Sequence, residues 1–171
     1  MYIAIDPSYS KNIGVAWAEK NDKIRFNSIK FSKKELKKGT RDLKKIAKKV
    51  FDYLRKEIKI VNNKETHIAI EGQFFSINAA MTINLVEVRS LIQGMILARY
   101  DKIKQYTVDP RTWQAKVLHV SKMKSKEIKE ISIKEANRIT GKSVSEDEAD
   151  AVNILRLMLN DFEPLEINWK W

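Results

Sequence analysis

Two short stretches constrain this chain more than any other feature: Ile3-Ala4-Ile5-Asp6 near its start and Ile68-Ala69-Ile70-Glu71 further on. Each is an apolar run of strand length that ends in an acid. A carboxylate directly after such a run lies near the core, where an unpaired charge is expensive, and a bound cation would relieve that cost. The loop-proximal ends of strands are also where sheets present catalytic groups. Asp6 on its own is equally an acid that starts the turn at Pro7; the repetition at Glu71 makes coincidence a poorer account.

The rest of the chain reads as regular elements around these runs. Turn formers fill 7–12, and 13–18 and 23–31 continue as strands, which predicts a three-stranded antiparallel meander. Over 41–58 the apolar positions Leu43, Ile46, Ala47, Val50, Phe51, Leu54 and Ile58 keep the spacing of an amphipathic helix with a lysine-covered outer face. A long helix is expected over 79–100, where apolar residues wrap more than one face, so that it is deeply buried or also packs on a second subunit. A strand at 105–108 ends at Asp109-Pro110, and helices are expected at 112–120, 126–140 and 146–160. No repeat or linker interrupts the pattern. With 43% hydrophobic residues in 171, a single domain over 1–171 is expected.

A third group of acids, Glu146-Asp147-Glu148-Ala149-Asp150, opens the last helix. Ser145 and Glu148 match a capping box, and acids in a first turn suit the helix dipole. That explains Glu148 and most of Glu146. It leaves Asp150, which lies past the first turn on the same face as Asp147 and beside an apolar stripe.

Composition narrows the chemistry. The chain has no cysteine, which excludes disulfides, thiolate metal sites and cysteine nucleophiles, and points to hard cations held by oxygen. His67 and His119 show no ligand spacing and read as structural. Lys and Arg number 33 against 22 Asp and Glu, a net charge of +11, and such a surplus favours a nucleic-acid partner. Solvated lysine-rich helix faces are the alternative account. No apolar run is long enough to span a bilayer, and the opening residues read as a strand rather than a cleavable leader, so a soluble, cytoplasmic protein without a membrane partner is expected.

In order and spacing, Ile3-Ala4-Ile5-Asp6-Pro7-Ser8, a second strand with Gly14, Ile68-Ala69-Ile70-Glu71-Gly72-Gln73-Phe74 and Asp147-Glu148-Ala149-Asp150-Ala151 resemble RuvC-type Holliday junction resolvases of the ribonuclease H-like superfamily. The resemblance covers nearly the whole chain. It implies an α/β fold, a ribonuclease H-like mixed five-stranded sheet flanked by helices, a homodimer, and Mg2+ dependence with Asp6, Glu71, Asp147 and Asp150 as catalytic and metal-binding carboxylates. Two ions per site, with Mn2+ able to substitute, would serve both ends of an in-line phosphodiester displacement. The chain departs from the family at Ser8, where Gly is usual, and its final pair is Asp-x-x-Asp, without the His found in some relatives. The Trp169-Lys170-Trp171 ending has no family counterpart.

Arg111, Lys116, Lys122, Lys124 and Lys126 are candidate DNA contacts; a solvated lysine-rich loop is the alternative. By resemblance, Lys116 and one of Lys124 or Lys126 match active-site or DNA-contacting lysines. Phe74 matches the aromatic that in the family stacks on a base or wedges the junction centre, while Phe75 is as readily an anchor for the long helix. The expected function is paired metal-dependent cutting of four-way (Holliday) DNA junctions. The alternative is a ribonuclease H-like nuclease acting on RNA, RNA-DNA hybrid or other branched DNA. A binding protein that lost its chemistry sits poorly with four retained acids, and an actin-like ATPase would need glycine motifs and a length that the chain lacks.

Overall fold

A computed structural model describes residues 1–8, 12–32, 42–61, 65–72 and 79–160. Phe74, its neighbours Gln73 and Phe75, and the Trp169-Lys170-Trp171 ending lie outside the described residues. Five strands, β1 (Tyr2–Asp6), β2 (Ile13–Ala18), β3 (Arg25–Ile29), β4 (Thr66–Glu71) and β5 (Ile103–Val108), form one mixed sheet in the order β3-β2-β1-β4-β5. The first three are the expected antiparallel meander. β4 and β5 add in parallel beyond β1, through crossovers that carry helices.

Five α-helices cover the sheet: α1 (Leu43–Tyr53), α2 (Ala79–Leu97), α3 (Pro110–Val117), α4 (Ser125–Thr140) and α5 (Glu146–Leu159). Most bounds fall close to the sequence reading, with differences at the ends. β3 is shorter than 23–31 and β5 starts earlier than 105. The expected single helix over 41–58 closes with a π turn at Leu54–Ile58, capped by Lys59 at φ 59°. Asp109-Pro110 ends β5 and also starts α3: the Asp109 carboxylate accepts from the backbone N–H groups of Arg111 and Thr112, and Pro110 takes the first helical position, where its missing N–H costs nothing.

The alternation along the strands sorts the core into two layers. Ile3, Ile5, Val15, Ile68 and Ile70 face α1 and α2, together with Ile46, Val50, Val88 and Ile92. Ala4, Ala16, Ala18 and Ala69 face the other way and meet α3, α4 and α5. The small residues on that second face let α5 lie close to the sheet. Closest of all is Gly14, where an added Cβ would fall 1.7 Å from the Asp147 carbonyl oxygen. No helix among the described residues is long and apolar enough to cross a membrane.

Candidate active site

Asp6 and Glu71 sit one step beyond Ile5 and Ile70, which are register partners in the parallel β1–β4 pair. Counting by twos along each strand puts both acids on the alanine face, toward α5. Their side chains hydrogen-bond each other. Trp113 of α3, fully buried, donates its indole N–H to Glu71 Oε1 at 2.8 Å.

The N-terminal turns of α5 supply the other two acids. Asp147 lies against Gly14, the register partner of Asp6, and its charge, with those of Glu71 and Asp150, acts on Asp6. Asp150 Oδ1 accepts from Ser132 Oγ of α4 at 2.6 Å. Ser132 in turn accepts from Asn153 Nδ2 at 2.9 Å, and the same amide donates to the Ser132 carbonyl oxygen at 3.1 Å. The direction of this chain is forced, because a carbonyl oxygen only accepts and an ionised carboxylate only accepts. Asn153 is fully buried and its Oδ1 has no partner among the described residues.

Crowding of acids shows in their ionisation. Burial first, then the charge of Glu71, holds the Asp6 carboxyl well above the usual carboxylate range. Burial and the charge of Asp150 push Glu71 up to about 7, against the opposing bond from Trp113. Asp150 is pushed up to about 6, mainly by burial, with the Ser132 bond opposing. Three carboxylates that resist ionisation at one end of a sheet are a place where a divalent cation would remove both the desolvation and the repulsion. The donor set is all oxygen, which suits a hard ion. Among the described residues no three acid or histidine side chains meet as a ready-made ion cage, so the fit rests on that donor chemistry and on the electrostatics.

The candidate cations distribute differently from the acids. Arg111, Lys116, Lys122, Lys124 and Lys126 are all exposed. Arg111 and Lys122 come together on one shallow cavity of about 470 Å3 beside α3. Lys124 precedes α4, its backbone N–H held by Glu127, and Lys126 lies in the first turn of that helix. Lys129, one turn past Lys126 and paired to Glu146 at 2.5 Å, is a cation whose charge reaches Asp147 and Asp150. Sequence reasoning missed Lys129, and also Ser132, Asn153 and Trp113. The available signal was a buried polar residue three positions past Asp150 in an apolar stripe. His67 is structural, as expected: it stacks on Tyr2 and Tyr106 and meets the Tyr106 hydroxyl at 2.8 Å. His119 is exposed, with φ at 55° after α3.

The family model of DUF3882, described as Lactococcus phage M3 protein, matches residues 1–160. The chain belongs to this family. No curated protein matches it. Among solved structures, the chain is similar to Thermus thermophilus RuvC in complex with Holliday junction substrate, with TM-score 0.60, 18% identity and 90% of each chain covered; another structure of T. thermophilus RuvC matches equally well. The yeast mitochondrial Holliday junction resolvase Ydc2 follows at TM-score 0.59 and 16% identity, with 92% of this chain and 77% of that one covered. These matches establish the ribonuclease H-like fold of the RuvC type.

Proposed function

We propose that this chain is a metal-dependent, structure-selective endonuclease that resolves four-way DNA junctions. The observation that carries the reading is the meeting of Asp6 from the end of β1 with Glu71 from the end of β4, under the charges of Asp147 and Asp150 from the start of α5. The fold is shared with a RuvC solved in complex with Holliday junction substrate and with a protein described as a Holliday junction resolvase, and a net charge of +11 suits a polyanionic substrate.

The four carboxylates are the residues that would hold Mg2+. When bound, the metal supplies an activated water and charge stabilisation at the phosphate. The chain's own residues prepare that place. Trp113 holds one oxygen of Glu71 and Ser132 holds one oxygen of Asp150, which fixes the orientation of each carboxylate toward a ligand. Lys129 places a positive charge beside the acids, where it would favour the approach of a phosphate.

Paired nicking needs two sites, hence two subunits. Exposed Ile83, Val86, Leu91 and Leu97 form an apolar surface on α2, with Ala79, Ala80 and Gly94 exposed on the same helix; small residues allow a second helix to approach closely.

The test is cleavage of a labelled four-way junction, with linear duplex and RNA-DNA hybrid as controls, in Mg2+ and in EDTA. We expect paired nicks that need the metal and vanish in Asp6→Asn, a loss of at least about a thousandfold by the magnitude of electrostatic and metal contributions. Cutting of the hybrid with the junction left intact would keep the nuclease and remove the resolvase.

A further inference from the structure

The outer strand of the sheet carries a second charged feature that the acid site does not use. A groove of about 1070 Å3 runs between the start of β3 and the end of α4. Phe26, partly buried on the α4 side of the sheet, contributes to its apolar floor, Trp17 borders it from β2, and Lys23, Arg25, Arg138 and Lys142, all exposed, line it. No acidic residue lines it among the described residues. Arg138 is held by Glu135 through two bonds of 2.8 Å. Lys23, Arg25 and Lys142 make no ion pair among the described residues, so their charge is available to a partner.

The groove connects with the acid site through two pieces of backbone. Lys142 and Ser143 lead directly into α5, which carries Asp147 and Asp150. Trp17 lies three residues along β2 from Gly14, the residue touching the Asp147 carbonyl. At strand rise this is ~10 Å, or about three base steps of duplex axis. The basic cavity at Arg111 and Lys122 lies beside α3, which follows β5 at the opposite edge of the sheet. The acids on the central strands are therefore flanked by cations on both sides.

We propose that this groove binds the sugar-phosphate backbone of a DNA arm leaving the cleavage site. The inference rests on the nuclease reading and extends it to the path of the substrate. An acidic protein segment would also meet the charge, but the continuity with the acid site favours the nucleic acid that passes there. The contact is to phosphates, so it adds affinity and orientation without sequence preference.

The experiment measures binding of a fluorescent four-way junction by the full chain in EDTA, where nothing is cut, across a salt series. Lys23→Gln, Arg25→Gln and Lys142→Gln are combined in one variant. Lys30→Gln, Lys44→Gln and Lys56→Gln, at exposed positions outside the groove, form a charge-matched control, and thermal melting verifies both folds. The groove variant should lower the slope of log affinity against log salt by about 2 to 3, near 0.9 for each lost phosphate contact, and the control should change it by less than about 1 on the same basis. Equal changes in both variants would reduce the effect to net charge and overturn the proposal. An unchanged slope in the groove variant would overturn it as well and leave an acidic protein partner as the better occupant. If the wild type cuts the junction while the groove variant binds normally, only the groove assignment fails; if the wild type neither binds nor cuts any nucleic acid, the nuclease reading itself fails.

Discussion

Asn153 is the residue whose energetics argue most clearly for function. A buried amide oxygen without a partner costs about 1–3 kcal/mol, and Asn153 Oδ1 is such an atom. The same side chain gives its N–H groups to Ser132, which holds Asp150. Asn153→Leu removes the orphan oxygen and the donors together while keeping the volume close. We expect its Tm to stay level or rise, while the Mg2+ or Mn2+ half-saturation measured by titration calorimetry rises roughly tenfold or more, the usual effect of losing a group that orients a metal ligand. Ser132→Ala should weaken metal binding similarly. A fall in Tm with metal affinity unchanged would make the pair a packing feature. The identity of Asn153 was visible in the sequence, but its partner lies on another helix, and no spacing rule pairs residues 21 positions apart.

At the scale of elements, the contact between β2 and α5 builds the site. Gly14→Ala would set a methyl group 1.7 Å from the Asp147 carbonyl oxygen, and backbone cannot yield as a flexible side chain can. We expect a loss of about 3 kcal/mol in denaturant unfolding, at the upper end of overpacking, with cleavage falling further than stability because α5 carries Asp147 and Asp150. The α4–α5 contact has its own electrostatic lock. Glu135 receives Arg138 and Arg156, and the Arg138 bond with both positive charges holds its carboxyl down at about 2 from an ordinary 4.5. A depressed folded-state value means stability that is present above 4.5 and lost as pH falls from there toward 2. Partial exposure keeps the contribution near about 1–2 kcal/mol. Glu135→Gln should therefore lower the Tm at pH 7 and bring it close to wild type near pH 2, measured by calorimetry. The capping box at Ser145 and Glu148 was legible in the sequence and is formed; the Glu135 lock was not, since its two arginines come from different helices.

For the whole molecule, the open question of surface is α2. Its sequence predicts apolar residues on more than one face, and the structure buries Val88, Ile92 and Ile96 while leaving Ile83 56% exposed, with Val86, Leu91 and Leu97 exposed along the same helix. We expect a dimer in sedimentation equilibrium and a monomer for Ile83→Lys, which would place a charge in the interface. That variant should keep its fold and lose paired nicking, leaving at most single cuts. A wild type that remains monomeric at high concentration would remove the two-subunit mechanism while leaving the acid site intact.

Local chemistry settled much of this protein in advance. The apolar runs ending in Asp6 and Glu71, the meander, the capped start of α5 and the amphipathic α1 all follow from periodicity, turn residues and caps, which act over a few positions and can be read along the chain. The alternation even places both acids on the face opposite the isoleucines. Whether those faces coincide was decided only in three dimensions: β4 pairs in parallel with β1 so that Ile70 meets Ile5, and alanines and Gly14 let α5 lie close enough to bring its acids to theirs. Register between strands 65 residues apart and the distance of a helix from a sheet depend on the packing of both layers at once, so no local stretch encodes them.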